Sequence, residues 1–138
     1  MEEFITHNEN ETLKIAADFA ADLCAGDIVL LNGDLGAGKT VFTKGIVNRL
    51  SSGKVIAVSP TFVIVNTYET QPVINHFDLY RIEDISELEA IGIEEYLYSD
   101  SVNIVEWSER ALELFPKNSI VVEILKVDDN TRKIRIER

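Results

Sequence analysis

The chain has 138 residues, 24 of them acidic and 13 basic, a formal net charge of −11. At 46% hydrophobic and 27% charged, a chain this short specifies one domain with one core, and a disordered acidic tail is excluded. The charge repels a phosphate backbone, the longest strictly aliphatic run is Ile28 to Leu31, Met1-Glu2-Glu3 lacks a cationic signal start, and Cys24 is the single cysteine; autonomous nucleic-acid binding, a membrane span, secretion and a disulfide scaffold are not expected, which leaves a soluble, cytoplasmic protein.

From Asn8 to Ala25, Leu13, Ala16, Ala17, Ala20, Leu23 and Cys24 recur at three- and four-residue spacing, so an amphipathic helix is expected, N-capped by Asn8 with Glu11 behind it and stopped by Gly26. Cys24 falls on its apolar side and reads as core. Asp27 to Asn32 is a nearly continuous apolar run that suits a strand buried on both faces of a parallel sheet. A glycine-rich turn follows, then helical spacing from Val41 to Leu50. Val55 to Val58 reads as a strand. Phe62 to Tyr68 and Val73 to Leu79 flank Glu69-Thr70-Gln71-Pro72 as an antiparallel hairpin. Ser86-Glu87-Leu88-Glu89 has capping-box spacing and opens a short helix, Gly92 ends it, and Ile93 to Tyr98 adds a further turn. Ser101 to Trp107 is strand-like, Ser108 to Phe115 helical before Pro116, and Ile120 to Val127 with Arg132 to Ile136 forms a second hairpin. The expected class is therefore α/β, a mostly parallel sheet flanked by helices with antiparallel hairpin additions, in a single domain over 1–138.

Gly33-Asp34-Leu35-Gly36-Ala37-Gly38-Lys39-Thr40 matches the phosphate-loop pattern G-x-x-x-x-G-K-[ST] without a substitution. Chance produces such a match on the order of once in a few hundred chains of this length. Its placement between an apolar strand and an amphipathic helix aims consecutive backbone N–H groups and a helix N-terminus at one anion. Glycines let phosphates approach, Lys39 reaches the β- and γ-phosphates, and the Thr40 hydroxyl suits Mg²⁺.

A phosphate loop alone hydrolyses nothing, so acids are sought at later strand ends. Glu106 closes the run Val102 to Val105 as a Mg²⁺-holding acid does, or it is a solvent-facing glutamate. Asp78 closes the preceding strand and either orients water or Mg²⁺ or pairs with Arg81 at the surface. Thr61, in a Ser-Pro-Thr turn, stands where nucleotide switches place a γ-phosphate-sensing hydroxyl. Trp107 packs beside the site or fills the core. His7 and His76 have no partners at metal-ligand spacing, and Arg132, Lys133, Arg135 and Arg138 read as a solvated hairpin face. The guanine-reading Asn/Thr-Lys-x-Asp motif does not occur, which favours adenine by elimination.

With these residues assembled, the chain resembles the bacterial TsaE (YjeE) family, small phosphate-loop ATPases of tRNA threonylcarbamoyladenosine biosynthesis. The resemblance rests on Gly33 to Thr40, Ser59-Pro60-Thr61-Phe62, His76-Phe77-Asp78-Leu79-Tyr80-Arg81 and Val105-Glu106-Trp107. It implies ATP and phosphate contacts at Gly33, Gly36, Ala37, Gly38, Lys39, Thr40 and Val41, Mg²⁺ at Thr40 with Glu106, and functional switch positions at Thr61 and Asp78. Val41 stands where the family often has Thr. It also implies catalytic roles for Lys39, Asp78 and Glu106, and work with the paired proteins TsaD and TsaB, which modify adenosine 37 of tRNA, so that tRNA is met only indirectly. Two other functions fit the same motif: a binding module for which ATP is an ordering ligand, and a small phosphate-loop kinase.

The acidity is local. Between Asp78 and Glu113 there are 11 acidic residues and only Arg81 and Arg110, whereas Lys126 to Arg138 has 5 basic and 3 acidic. An acidic face of this kind either docks on protein or merely solvates.

Overall fold

The structure is a computed structural model that describes residues 1–58 and 64–138. In chain order the elements are β1 (Glu2–Thr6), α1 (Glu9–Ala20), β2 (Ile28–Asn32), α2 (Lys39–Leu50), β3 (Val65–Tyr68), β4 (Val73–Asp78), α3 (Ser86–Ala90), α4 (Ile93–Leu97), β5 (Ser101–Glu106), a 3-10 segment (Ser108–Leu114), β6 (Ile120–Lys126) and β7 (Arg132–Glu137). Among the described residues the strands form one sheet in the order β1-β7-β6-β2-β5-β4-β3. The four central strands β6, β2, β5 and β4 run parallel, and the outer pairs β1–β7, β7–β6 and β4–β3 are antiparallel. The fold is thus the expected α/β arrangement, with the antiparallel hairpins at the two edges.

β2 is buried on both faces, and its side chains divide between two cores. Val29 and Leu31 join Phe19, Phe42, Ile46, Ile104 and Ile124 under α1 and α2. Ile28 and Leu30 join Phe77, Leu88, Ile93, Leu97 and Phe115 under α3, α4 and the 3-10 segment. Period-two alternation makes this division automatic for a central strand.

α1 begins as its sequence specifies. The Asn8 side chain accepts from the Glu11 N–H at 2.8 Å, and the Glu11 carboxylate reaches back to the His7 N–H at 2.8 Å. It ends at Ala20, earlier than Gly26, because Asp22 and Leu23 donate to Phe19 and Ala20 in tighter three-residue turns. Cys24 lies beyond that end and is exposed, so the core assignment fails: the helical period that placed it inward does not extend so far.

Four further differences have physical causes. β1 is unannounced by its sequence and forms because β7 offers it a ladder, reinforced where Glu3 lies 3.1 Å from Lys133. The stretch 55–58 is not a strand: the Tyr68 hydroxyl meets both backbone groups of Val58, at 2.9 and 2.7 Å, in place of a ladder partner. α3 lacks the Ser86 cap; Asp84 accepts from the Ser86 N–H, and the Glu87 carboxylate accepts from Glu83 and Asp84 N–H. The segment after Trp107 is 3-10 rather than α, kinked at Ala111 (φ −150°).

Candidate functional site

Three neighbouring parallel strands bring the expected acids to the phosphate loop. β2 ends at Asn32 and the loop follows directly. Leu31 of β2 pairs with Glu106 of β5, and Glu106 pairs in turn with Asp78 of β4. Sites of α/β folds lie beyond the carboxyl ends of parallel strands, and this register places two carboxylates there beside the loop.

The loop closes onto α2 through Gly38, whose φ of +113° is accessible to glycine and strained for other residues. Gly38 occupies the N-cap position, with no side chain over the helix N-terminus. Lys39 opens the helix and is 6% exposed; its ammonium lies 3.9 Å from the centroid of the Trp107 ring. Trp107 has φ +60°, the left-handed region, so the chain turns sharply after β5 and carries the indole over the loop. Tyr80 packs on Trp107 at 4.9 Å between ring centroids, and the Arg110 guanidinium lies over Tyr80. Trp107 is therefore part of the site.

A cleft of about 500 Å³ runs over the loop. It is lined by Gly36, Gly38, Lys39, Thr40 and Val41 of the loop and α2 and by Asp78, Glu106 and Trp107. Asn8, Glu9 and Thr12 of the α1 start and Asp129, Asn130 and Arg132 of the β6–β7 turn also line it. Thr40 and Glu106, the oxygen donors expected for Mg²⁺, share this cleft, and hard oxygen donors suit that ion. Gly33 and Ala37 do not line it. Ala37 is buried and donates its N–H to Asp34 at 3.0 Å, while a side chain on Gly33 would meet the Ile124 carbonyl at 2.8 Å. Thr61 lies outside the described residues.

Burial raises the pKa of Asp78 above the ordinary carboxylate value, and the Glu106 charge pushes it the same way. The Tyr80 N–H, bonded to the Asp78 carboxylate at 3.0 Å, opposes that shift. Asp78 thus lines the site beside Glu106.

Two residues were given other readings by the sequence. His76 is 1% exposed and its Nε2 lies 2.5 Å from Oε2 of Glu106, itself 5% exposed. A period-two strand puts His76 on the face of Asp78, which was the available signal; the register of β4 against β5 was not readable. Arg132 is not part of a solvated face: its Nε donates to the Ala37 carbonyl at 2.7 Å and its Nη2 to that of Gly36 at 3.3 Å. Its other nitrogen bonds the Asp128 carbonyl at 2.8 Å, so one guanidinium ties the β6–β7 turn to the loop. Asp128 shapes that turn by accepting from the Asn130 and Thr131 N–H groups, which holds its pKa below the usual carboxylate range. Lys133, Arg135 and Arg138 form ion pairs with Glu3, Glu123, Glu2 and Asp22.

Residues 6–134 match the family described as threonylcarbamoyl adenosine biosynthesis protein TsaE. The chain belongs to the TsaE family. It is 41% identical to the tRNA threonylcarbamoyladenosine biosynthesis protein TsaE of Rickettsia bellii, over 96% of this chain and 92% of that protein. The TsaE protein of Aquifex aeolicus is 39% identical over 100% of this chain and 97% of its own length, and that of Bacillus subtilis 39% identical over 94% and 80%. The crystal structure of YdiB from Bacillus subtilis superposes with a TM-score of 0.79 at 32% identity, covering 96% of this chain and 82% of that one. A TsaE-family member is a protein of threonylcarbamoyladenosine biosynthesis, and the cleft over Gly36 to Val41 brings together Lys39, Asp78, Glu106 and Arg132. Among the described residues no helix is long and apolar enough to cross a membrane, and no group of three or more His, Cys, Asp or Glu side chains is placed to hold a metal.

Proposed function

We propose that this TsaE-family chain binds and hydrolyses ATP with Mg²⁺, in the cytoplasm, as the accessory subunit that serves a TsaD/TsaB-type pair in modifying adenosine 37 of tRNA. The observation that carries the reading is the convergence, in one cleft, of an intact phosphate loop with carboxylates from the ends of the two next strands. Loop N–H groups and Lys39 bind the β- and γ-phosphates, and Thr40 with Glu106 holds the ion alongside phosphate oxygens and water. When bound, Mg²⁺ neutralises charge on the transferring phosphoryl group. Asp78, drawn toward its neutral form by burial, or Glu106 orients the attacking water. The Trp107 ring packs against the Lys39 ammonium and lines the cleft beside it.

The test is calorimetric titration with ATP and Mg²⁺, followed by single-turnover hydrolysis with and without the partner pair. Saturable binding that Lys39→Ala removes, and hydrolysis that the pair stimulates, are expected. Unchanged affinity in the lysine variant overturns the reading, and hydrolysis absent even with the pair favours ATP as an ordering ligand.

A further inference from the structure

His76 has no place in the function described above, yet it is among the most deeply buried polar side chains of the chain. A carboxylate accepts and cannot donate, so the 2.5 Å contact has the imidazole Nε2–H donating to Oε2 of Glu106. The other ring nitrogen, Nδ1, is buried and finds no hydrogen-bond partner among the described residues. Among the described residues the bond to Glu106 is thus the one hydrogen bond the ring makes, and a buried polar side chain of this size carries a desolvation cost that an apolar one of the same volume avoids.

The surroundings hold the ring in one orientation. Tyr68 stacks on it at 6.5 Å with 29° between planes, and the Tyr68 hydroxyl is itself pinned to both backbone groups of Val58. His76 stands diagonal to Glu106 across β4–β5, since His76 pairs with Ile104 and Asp78 with Glu106. A rigid donor is thus aimed at one oxygen of a carboxylate that lines the cleft.

We propose that His76 is a positioning residue: it ties down Oε2 of Glu106 and leaves the other oxygen, in one orientation, for the Mg²⁺–nucleotide end of the cleft. Partners one bond behind a ligand commonly fix its orientation, and their loss costs ~10–100-fold in metal affinity or activity. The inference rests on the role given to Glu106 under the proposed function, and the experiment separates the two.

The measurement is Mn²⁺ affinity by electron paramagnetic resonance, with a non-hydrolysable ATP analogue bound, beside ATP-analogue affinity in EDTA, the melting temperature and kcat against KM. His76→Gln places an amide N–H near the Nε2 position, and His76→Asn is too short to reach. The Asn variant is expected to lose about 10-fold or more in Mn²⁺ affinity, with a lower kcat, while metal-free nucleotide affinity stays within about twofold; the Gln variant recovers most of the loss. Should the Asn variant fail to fold, His76→Phe, which fills the space and cannot donate, takes its place. Parent-like Mn²⁺ affinity in these variants, alongside a loss in Glu106→Gln, overturns the inference alone. Parent-like affinity in Glu106→Gln overturns the role of Glu106 and the inference with it.

Discussion

Arg132 and Asp78 illustrate how single side chains tune the loop. Arg132→Ala removes two charge-assisted bonds to loop carbonyls, and is expected to lower unfolding free energy by about 1–2 kcal/mol and weaken ATP binding, read by denaturant titration and calorimetry. Arg132→Lys is not expected to restore either, because a point charge cannot serve Gly36, Ala37 and Asp128 at once. Asp78 shows the opposite economy: burial and the Glu106 charge raise its folded pKa above the unfolded value, so its effect on stability is favourable below the unfolded pKa and lost as pH rises through the folded one. Asp78→Asn is therefore expected to raise the melting temperature at neutral pH by a few degrees, with the gain disappearing near pH 3, where the native carboxyl is protonated in both states; thermal scans across that range check it. An equal gain at both pH values contradicts this account. The same substitution is expected to lower the rate of ATP hydrolysis.

At the scale of elements, α1 and α2 meet closely because α2 carries Gly45 in its middle. A Cβ there would lie 2.6 Å from the Ala16 Cβ and 2.9 Å from the Leu13 carbonyl. Gly45→Ala gains ~1 kcal/mol of helix propensity but forces two helices apart against backbone atoms, at about 1–3 kcal/mol. No side-chain rotation relieves that clash, so net destabilisation of up to about 2 kcal/mol is expected in urea melts. This contact also positions the site, since Asn8, Glu9 and Thr12 at the start of α1 form a wall of the cleft over α2. The start of α1 was readable because its signals are local, in Asn8 and Glu11, whereas α2 begins at Lys39, two residues before the apolar spacing that starts at Val41. The poorly read elements lack local signals. β1 is two glutamates and three further residues that become a strand only against β7, and 55–58 has strand composition but meets a tyrosine hydroxyl in place of a neighbouring strand.

For the whole molecule, the charge of −11 is distributed unevenly. Glu89, Glu94 and Glu95 on α3 and α4 are exposed, whereas Glu87, of the same stretch, is engaged in holding the chain before α3. Charge reversal at Glu89, Glu94 and Glu95 is expected to slow association with a partner and flatten its salt dependence while leaving ATP affinity unchanged, measured by surface-based kinetics and calorimetry. Unaltered association means that this acidity is solvating. Glu87→Ala, by contrast, is expected to lower stability. The α/β class, the buried character of β2, and the phosphate loop with Lys39 and Thr40 were legible in the amino-acid order because each depends on periodicity or spacing within short stretches of chain. The meeting of Asp78 with Glu106, the bond from His76 to Glu106, the Trp107 indole over Lys39 and the Arg132 tie to the loop were not, since they join positions 28 to 95 residues apart. Sequence periodicity gives the face on which a side chain stands. Which strand lies alongside, and in what register, is settled only when the sheet has assembled and both of its faces are covered.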